Sequence, residues 1–189
     1  WPGLDPCEGC SKWPGPLFGY YDGSETGRRA GWAFAVFEWS GTMLFERWGR
    51  VLMDPADPLS LGAASNSNNT GELSAFAEAM IWLICEMPYW RDRGVVFAYD
   101  STYSVGAGTG EWRTHDSQSL IKTTKALWAV FDVDRFPIFG LQIKSHTQNP
   151  YNDYVDERAK WGAGVLPAFP FPQPRTISKD APLRRAEPF

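Results

Sequence analysis

The sequence predicts an α/β fold built on a five-stranded mixed sheet flanked by helices. Three runs with strand composition follow one another near the start of the chain, and two further such runs alternate with three segments of helical periodicity. This order is typical of a sheet that begins with antiparallel strands and continues through alternating helices and strands. The 189 residues, 43% of them hydrophobic, suffice for one domain with a full core.

The first three strands are predicted from aromatic-rich runs bounded by turn residues. Residues 17–22 (LFGYYD) end in an acid followed by glycine, and residues 30–39 and 42–52 are joined by a Ser-Gly pair of the kind found in hairpins. We expect these strands to be antiparallel neighbours. The polar loop of residues 54–69 then leads to the first helix.

The rest of the domain alternates helices with strands. A helix is predicted over residues 71–87, where apolar side chains recur every three or four positions. Residues 95–100 (VVFAYD) form the continuous apolar run typical of a central strand. The remaining predicted elements are a helix over residues 116–131, a strand over residues 136–146 and a helix over residues 152–163.

Proline-rich segments flank this core. Residues 1–16 are rich in proline and glycine, and the tail has six prolines in its 24 residues. The sequence therefore predicts a leader over residues 1–16, a domain over residues 17–165 and a proline-rich tail over residues 166–189. A first residue of Trp rather than Met indicates a piece of a longer polypeptide.

Composition excludes several classes of protein. No run approaches the roughly 18 consecutive apolar residues of a membrane span, so no membrane partner is expected. A net charge of −4 gives no bulk attraction for polyanions, so nucleic acid would need a local site. Three cysteines are too few for a disulfide framework, which favours an intracellular compartment, cytoplasmic or nuclear. Cys7 and Cys10 have the spacing of half a zinc site, but without a second Cys or His pair the spacing is expected to be incidental, unless residues outside this chain complete it.

Four acidic residues occupy positions from which their side chains could converge at one edge of the sheet. Asp22 and Asp100 each end a predicted strand, and ligand sites in open α/β sheets form at the carboxyl ends of strands. Glu72 lies in the first turn of a predicted helix and Asp156 lies in the last helix. Converging carboxylates repel one another, so such a cluster normally holds divalent cations, with Mg²⁺ the default. Two neighbouring ions are the usual machinery of phosphodiester hydrolysis.

Short motifs surround these acids. They are Asp22-Gly23-Ser24 after a strand, Asn68-Asn69-x-x-Glu72 at a helix start, Asp100-Ser101 after a central strand, and His146 followed by Asn152 and Asp156 six and ten residues later. In this order and on these elements, the set resembles the type 1 ribonuclease H family, including the domains attached to retroelement reverse transcriptases. The resemblance spans about residues 17–163 and implies the ribonuclease H-like fold.

The resemblance implies a role for each of these residues. Its metal-binding carboxylates match Asp22, Glu72, Asp100 and Asp156, with Asp22 shared between two Mg²⁺ ions. His146 matches a histidine that assists proton transfer or product departure. The implied substrate-binding residues are Asn68 and Asn69 in the minor groove, Asn152 near the scissile phosphate, and Gly23, Ser24 and Ser101 beside them.

The implied activity is Mg²⁺-dependent endonucleolytic cleavage of the RNA strand of RNA–DNA hybrids by a two-metal-ion mechanism, with Mn²⁺ able to substitute. The implied partners are the hybrid and a neighbouring reverse transcriptase domain in a larger retroelement-like protein. As an isolated domain, the chain is expected to be monomeric.

The sequence departs from the family pattern in two places. Asp22 and Glu72 lie 50 positions apart, which is longer than the family leads us to expect, so residues 54–67 resemble an insertion. Only one helix is predicted between Asp100 and His146, and it carries just two lysines. The basic protrusion with which some members grip the hybrid is therefore expected to be missing, and intrinsic affinity to be weak.

Two other functions stay open on the same fold. One is a nuclease with a different nucleic-acid substrate, and the other is a non-catalytic nucleic-acid-binding or assembly module. Each acid taken singly has an ordinary structural explanation, as a turn residue, a helix first-turn acid or a solvated charge. Asp153 is the alternative to Asp156 as the last metal ligand.

Overall fold

Five strands form one mixed sheet in the part of the chain that the computed structural model describes, which comprises residues 15–90, 93–114, 117–133, 138–143 and 149–165. The strands are β1 (Leu17–Thr26), β2 (Arg29–Phe37), β3 (Met43–Arg50), β4 (Val95–Tyr99) and β5 (Ile138–Gln142). Their order across the sheet is β3-β2-β1-β4-β5. The first three strands pair antiparallel, whereas β4 pairs parallel with both β1 and β5. The predicted fold class is confirmed.

Helices cover both faces of this sheet. They are α1 (Asn68–Trp90), α2 (Thr102–Thr109), α3 (Gln118–Val133) and α4 (Pro150–Gly162). Helix α1 packs on β1 and β2 and contacts α2 and α3, while α4 packs on β1, β2 and β3. Among the described residues, no helix combines the length and the hydrophobicity needed to cross a bilayer.

The central strand β1 contributes side chains to both layers of the core. Tyr21 belongs to the cluster beneath α1, whereas its neighbour Tyr20 belongs to the cluster beneath α4. This division follows from the alternation of side chains along a strand. Because helices cover both faces, β2 is apolar along almost its whole length rather than alternating.

Helix α1 begins three residues earlier than its hydrophobic pattern predicts. Asn68 and Asn69 are exposed, so they contribute nothing to an apolar periodicity. The helix begins there because the Ser67 hydroxyl accepts a hydrogen bond from the Thr70 backbone N–H at 3.2 Å and so caps the first turn.

Helix α2 was not predicted, and the expectation of a single helix between Asp100 and His146 is wrong. The segment is glycine-rich, and glycine ordinarily disfavours helix. Close packing explains the glycines here. A Cβ on Gly106 would lie 2.5 Å from the Trp112 ring, and one on Gly108 would lie 2.9 Å from the Phe76 ring. Small residues therefore let α2 approach these aromatic side chains.

Several predictions fall outside the described residues. They are the tail of residues 166–189, the leader up to residue 14, the Cys7 and Cys10 pair, and His146.

Candidate metal centre

Parallel pairing brings two of the predicted acids to one edge of the sheet. Tyr20 of β1 pairs with Ala98 of β4, and Asp22 and Asp100 each lie two residues farther along their strands. Because parallel strands keep their register, both carboxylates emerge at the same level. Asp22 is 6% exposed, whereas Asp100, just beyond the end of β4, is partly exposed.

Glycine allows the third acid to approach. A Cβ on Gly23 would lie 2.0 Å from the backbone nitrogen of Glu72, so no larger residue fits between β1 and α1. Glu72 is consequently 3% exposed and faces the strand ends. Because α1 begins at Asn68, Glu72 follows the first turn of the helix and does not lie in it as predicted. Carboxylate oxygens of Asp22, Glu72 and Asp100 all lie within 4.8 Å of one another, and we call these three residues the carboxylate cluster.

Mutual repulsion and burial perturb the carboxylate cluster. Burial, followed by the charges of Asp100 and Asp156, raises the pKa of Asp22 to about 8, although its carboxylate accepts a 2.7 Å hydrogen bond from the Gly23 N–H. Burial and the charges of Asp22 and Asp100 likewise raise the pKa of Glu72 well above its usual value. Within the described residues, no basic side chain forms an ion pair with the cluster.

The other predicted metal ligand, Asp156, lies near the cluster but outside it. Asp156 is on α4, at the opposite face of the sheet, and its charge contributes to the raised pKa of Asp22. Its Oδ2 atom lies 2.5 Å from Nζ of Lys160, one turn later on α4. The alternative ligand, Asp153, is exposed in the first turn of the same helix, and its charge is not among the causes of the raised pKa of Asp22.

Two of the predicted asparagines hydrogen bond to members of the cluster. Asn152 is 5% exposed and its Nδ2 donates to Oδ2 of Asp100 at 3.4 Å. The side chain of Asn149 caps α4 and so fixes the turn that carries Asn152. Asn68 donates from Nδ2 to Oε1 of Glu72 at 3.4 Å. Both amides therefore support acceptor atoms of the cluster.

The remaining predicted residues surround the cluster. Asn69 is exposed at the start of α1, next to Asn68. Ser24 is buried one residue beyond Gly23. Ser101 occupies the N-cap position of α2 without a side-chain cap, and its carbonyl accepts a 3.2 Å hydrogen bond from the Ser104 hydroxyl.

The structure adds two residues that the sequence analysis did not single out. Tyr21 lies behind the cluster and shares a 3.0 Å hydrogen bond with Ser104, and burial raises its pKa well above the usual value. The other residue is Lys160, the partner of Asp156. Its position four residues after an acid is a signal for an ion pair on a helix, so the sequence could have revealed it.

The donor set fits a hard divalent cation. Three carboxylates converge with no compensating basic residue among the described residues, and oxygen ligands of this kind are those that Mg²⁺ and Mn²⁺ take. Two oxygens here, Oε2 of Glu72 and Oδ1 of Asn152, are buried without a hydrogen-bond partner within the described chain. Because a buried acceptor without a partner is costly, a bound cation with its water shell would relieve both repulsion and desolvation.

Known proteins resemble this chain in sequence and in fold. No family model matches the chain. The ribonuclease H of Chlorobium phaeovibrioides (strain DSM 265 / 1930) is 31% identical over 125 residues, which cover 60% of this chain and 81% of that protein.

Solved structures share the fold. A ribonuclease H1 isolated from compost by a metagenomic approach superposes with a TM-score of 0.59 at 20% identity, covering 79% of this chain and 96% of that one. The same compost enzyme in complex with an RNA/DNA hybrid gives 0.58 at 19% identity, covering 79% and 97%. The ribonuclease H1 of Halobacterium salinarum NRC-1 gives 0.56 at 17% identity, covering 80% and 100%.

Proposed function

Because this chain belongs to the ribonuclease H family, we propose that it is a Mg²⁺-dependent endoribonuclease that cleaves the RNA strand of RNA–DNA hybrids. The observation that carries the proposal is the convergence of Asp22, Glu72 and Asp100 within 4.8 Å at the sheet edge. A related solved enzyme has been captured with an RNA/DNA hybrid, which supports the same class of substrate here.

Asp22, Glu72, Asp100 and Asp156 would hold the cations, two Mg²⁺ ions or Mn²⁺ in their place. When bound, such ions lower the pKa of the attacking water and stabilise the charge that develops at the phosphate. The protein side chains prepare this site. The Gly23 N–H holds one oxygen of Asp22, and Asn152 holds one oxygen of Asp100. These hydrogen bonds fix the carboxylates before the substrate arrives, which reduces the reorganisation needed during the reaction.

Selection for RNA is assigned to the start of α1. Asn68 and Asn69 are exposed there, and the Asn68 amide reaches Glu72, so the two amides lie next to the carboxylate cluster. Amide groups can donate to and accept from a ribose 2′-hydroxyl in a shallow minor groove, which DNA lacks. Gly23, Ser24 and Ser101 are proposed to lie along the same substrate path, and His146 to assist proton transfer or product departure.

We also propose that the chain is one module of a larger retroelement-like protein, with residues 17–165 as its monomeric domain between a leader and a tail. The motif resemblance supports this, together with a helix α3 in which the only basic residues are Lys122 and Lys125. A surface with few cations binds the phosphate backbone weakly, so a neighbouring reverse transcriptase domain would supply affinity for the hybrid.

The proposal predicts selective cleavage of hybrids. The 189-residue chain, incubated with end-labelled RNA annealed to DNA in Mg²⁺ and separately in Mn²⁺, should degrade the RNA strand and leave duplex RNA and duplex DNA intact. Cleavage of either duplex at a comparable rate would indicate a nuclease with another substrate. Absence of cleavage in both metals, from protein shown to be folded, would indicate a non-catalytic module.

Replacing Asn68 and Asn69 together with Ala should weaken hybrid cleavage roughly tenfold, the loss expected from one or two hydrogen bonds. The Asn69→Ala variant is the cleaner test, because Asn68 also supports Glu72. We expect Asn69→Ala to raise KM for the hybrid while Mn²⁺ affinity, measured by calorimetry, stays unchanged. An unchanged KM would contradict the assignment of RNA selection to this helix start.

A further inference from the structure

We propose that Lys160 is a positioning residue that occupies the Asp156 carboxylate in the metal-free protein and competes with the divalent cation for it. This inference rests on the proposed function and assigns to Lys160 a role in setting metal affinity. It concerns a contact within α4 that lies outside the carboxylate cluster.

The Lys160 contact distinguishes Asp156 from the three acids of the cluster. Nζ of Lys160 lies 2.5 Å from Oδ2 of Asp156, whereas none of the cluster carboxylates has a basic partner among the described residues. In the ribonuclease H resemblance all four acids are metal ligands, yet only Asp22, Glu72 and Asp100 converge within 4.8 Å. Asp156, the proposed ligand outside the carboxylate cluster, is therefore the one already paired with a cationic side chain.

The geometry of α4 makes this pairing local and reversible. Asp156 and Lys160 are four residues apart, which places them on the same face of the helix one turn apart. Their side chains are 33% and 47% exposed, so water screens the ion pair and either partner can leave it at little cost. Lys160 has three rotatable donors on a flexible stem and can move aside without any change in the backbone.

Competition follows from the positive charge that Lys160 places beside the Asp156 carboxylate. As one of the four proposed ligands, Asp156 would give an oxygen to a cation close to Asp22, and the Lys160 ammonium lies 2.5 Å from Oδ2 of that carboxylate. The ammonium also repels a second cation through its charge alone. A cation that binds Asp156 must therefore either displace Lys160 or bind beside its positive charge, and in both cases the affinity of the site is lower than the four carboxylates alone would give.

The test is calorimetric titration of the 189-residue chain with Mn²⁺ alone, comparing wild type, Lys160→Met and Lys160→Arg. Met keeps the apolar stem without the charge, and we expect it to bind Mn²⁺ roughly fivefold more tightly than wild type. Arg keeps the charge and should remain within about twofold of wild type. Equal affinities for wild type and Lys160→Met would overturn the inference.

The Asp156→Asn background separates competition for the carboxylate from a general effect of charge. If Lys160 acts through Asp156, most of the gain from Lys160→Met should disappear in that background. An equal gain in both backgrounds would overturn the inference while leaving the metal site intact. Failure of the wild-type chain to bind Mn²⁺ at all would instead contradict the proposed function, so the two failures are distinguishable.

Discussion

The Asp22→Asn variant is expected to lose cleavage of the hybrid by about a thousandfold or more while remaining folded. Asp22 is the most central of the predicted ligands. Its carboxylate oxygen lies within 4.8 Å of those of Glu72 and Asp100, and the charge of Asp156 contributes to its raised pKa. Asn keeps the shape of the side chain but removes the charge that attracts a divalent cation. Losing roughly 4 kcal/mol of transition-state stabilisation corresponds to a thousandfold in rate.

The measurement is single-turnover cleavage of a labelled hybrid in Mg²⁺, which reports the chemical step without product release. Asp153→Asn is the matched control, since it makes the same chemical change at an exposed acid of α4. We expect its rate to stay within about twofold of wild type. The cleavage rate of Asp156→Asn should fall strongly, as that of Asp22→Asn does, and should not stay near the wild-type rate. This result would identify Asp156 rather than Asp153 as the metal ligand on α4.

A well-folded Asp22→Asn chain with an unchanged rate would refute the assignment of the site. Circular dichroism and the unfolding midpoint establish folding independently of activity. A large loss in the Asp153→Asn control together with normal activity of Asp156→Asn would place the last ligand at Asp153 instead.

The order of strands and helices was predictable because burial leaves a periodic trace in the chain. Helix α1 repeats its apolar residues every three or four positions, and β4 is a short continuous apolar run. The pairing of Asp22 with Asp100 was also accessible, because parallel neighbouring strands end at the same edge of a sheet. These features depend on local patterns and on simple rules of topology.

Features that depend on how one surface contacts another were not predictable in this way. The glycines of α2 predict a bend rather than a helix. Their packing against Trp112 and Phe76 depends on the tertiary structure and cannot be inferred from local sequence. Similarly, the residue spacing within α4 cannot show how this helix is rotated against the sheet. That rotation decides that Asn152 reaches Asp100 while Asp153 is exposed.

The second large effect concerns stability in the absence of divalent cations. We expect the free energy of unfolding of the metal-free chain to fall as the pH rises from about 4 to about 8. The pKa of Asp22 is about 8 in the folded chain and 3.8 in its ordinary state. Between these values the folded chain retains a proton that the unfolded chain has released, so raising the pH favours unfolding. The raised pKa of Glu72 acts in the same direction.

The expected loss from Asp22 is at least ~2 kcal/mol across this window, and it is complete above the folded pKa. Urea unfolding at several pH values in the presence of a chelator measures it. Asp22→Asn has no carboxylate to titrate, so its stability should depend less on pH and should exceed that of wild type near pH 8. The Asp153→Asn control, altered at an exposed acid, should follow the wild-type curve.

Divalent cations should reverse this destabilisation, because they bind the ionised cluster and only in the folded state. Mg²⁺ at about 100 times its dissociation constant would add ~2.7 kcal/mol to the wild-type free energy of unfolding. The addition should be large near pH 8, where Asp22 ionises readily, and small near pH 5, where Asp22 holds a proton because its pKa is about 8. It should be nearly absent in Asp22→Asn. A stabilisation by Mg²⁺ that is equal in Asp22→Asn and wild type would show that the cation binds elsewhere. A stability independent of pH would show that Asp22 is not protonated in the folded chain.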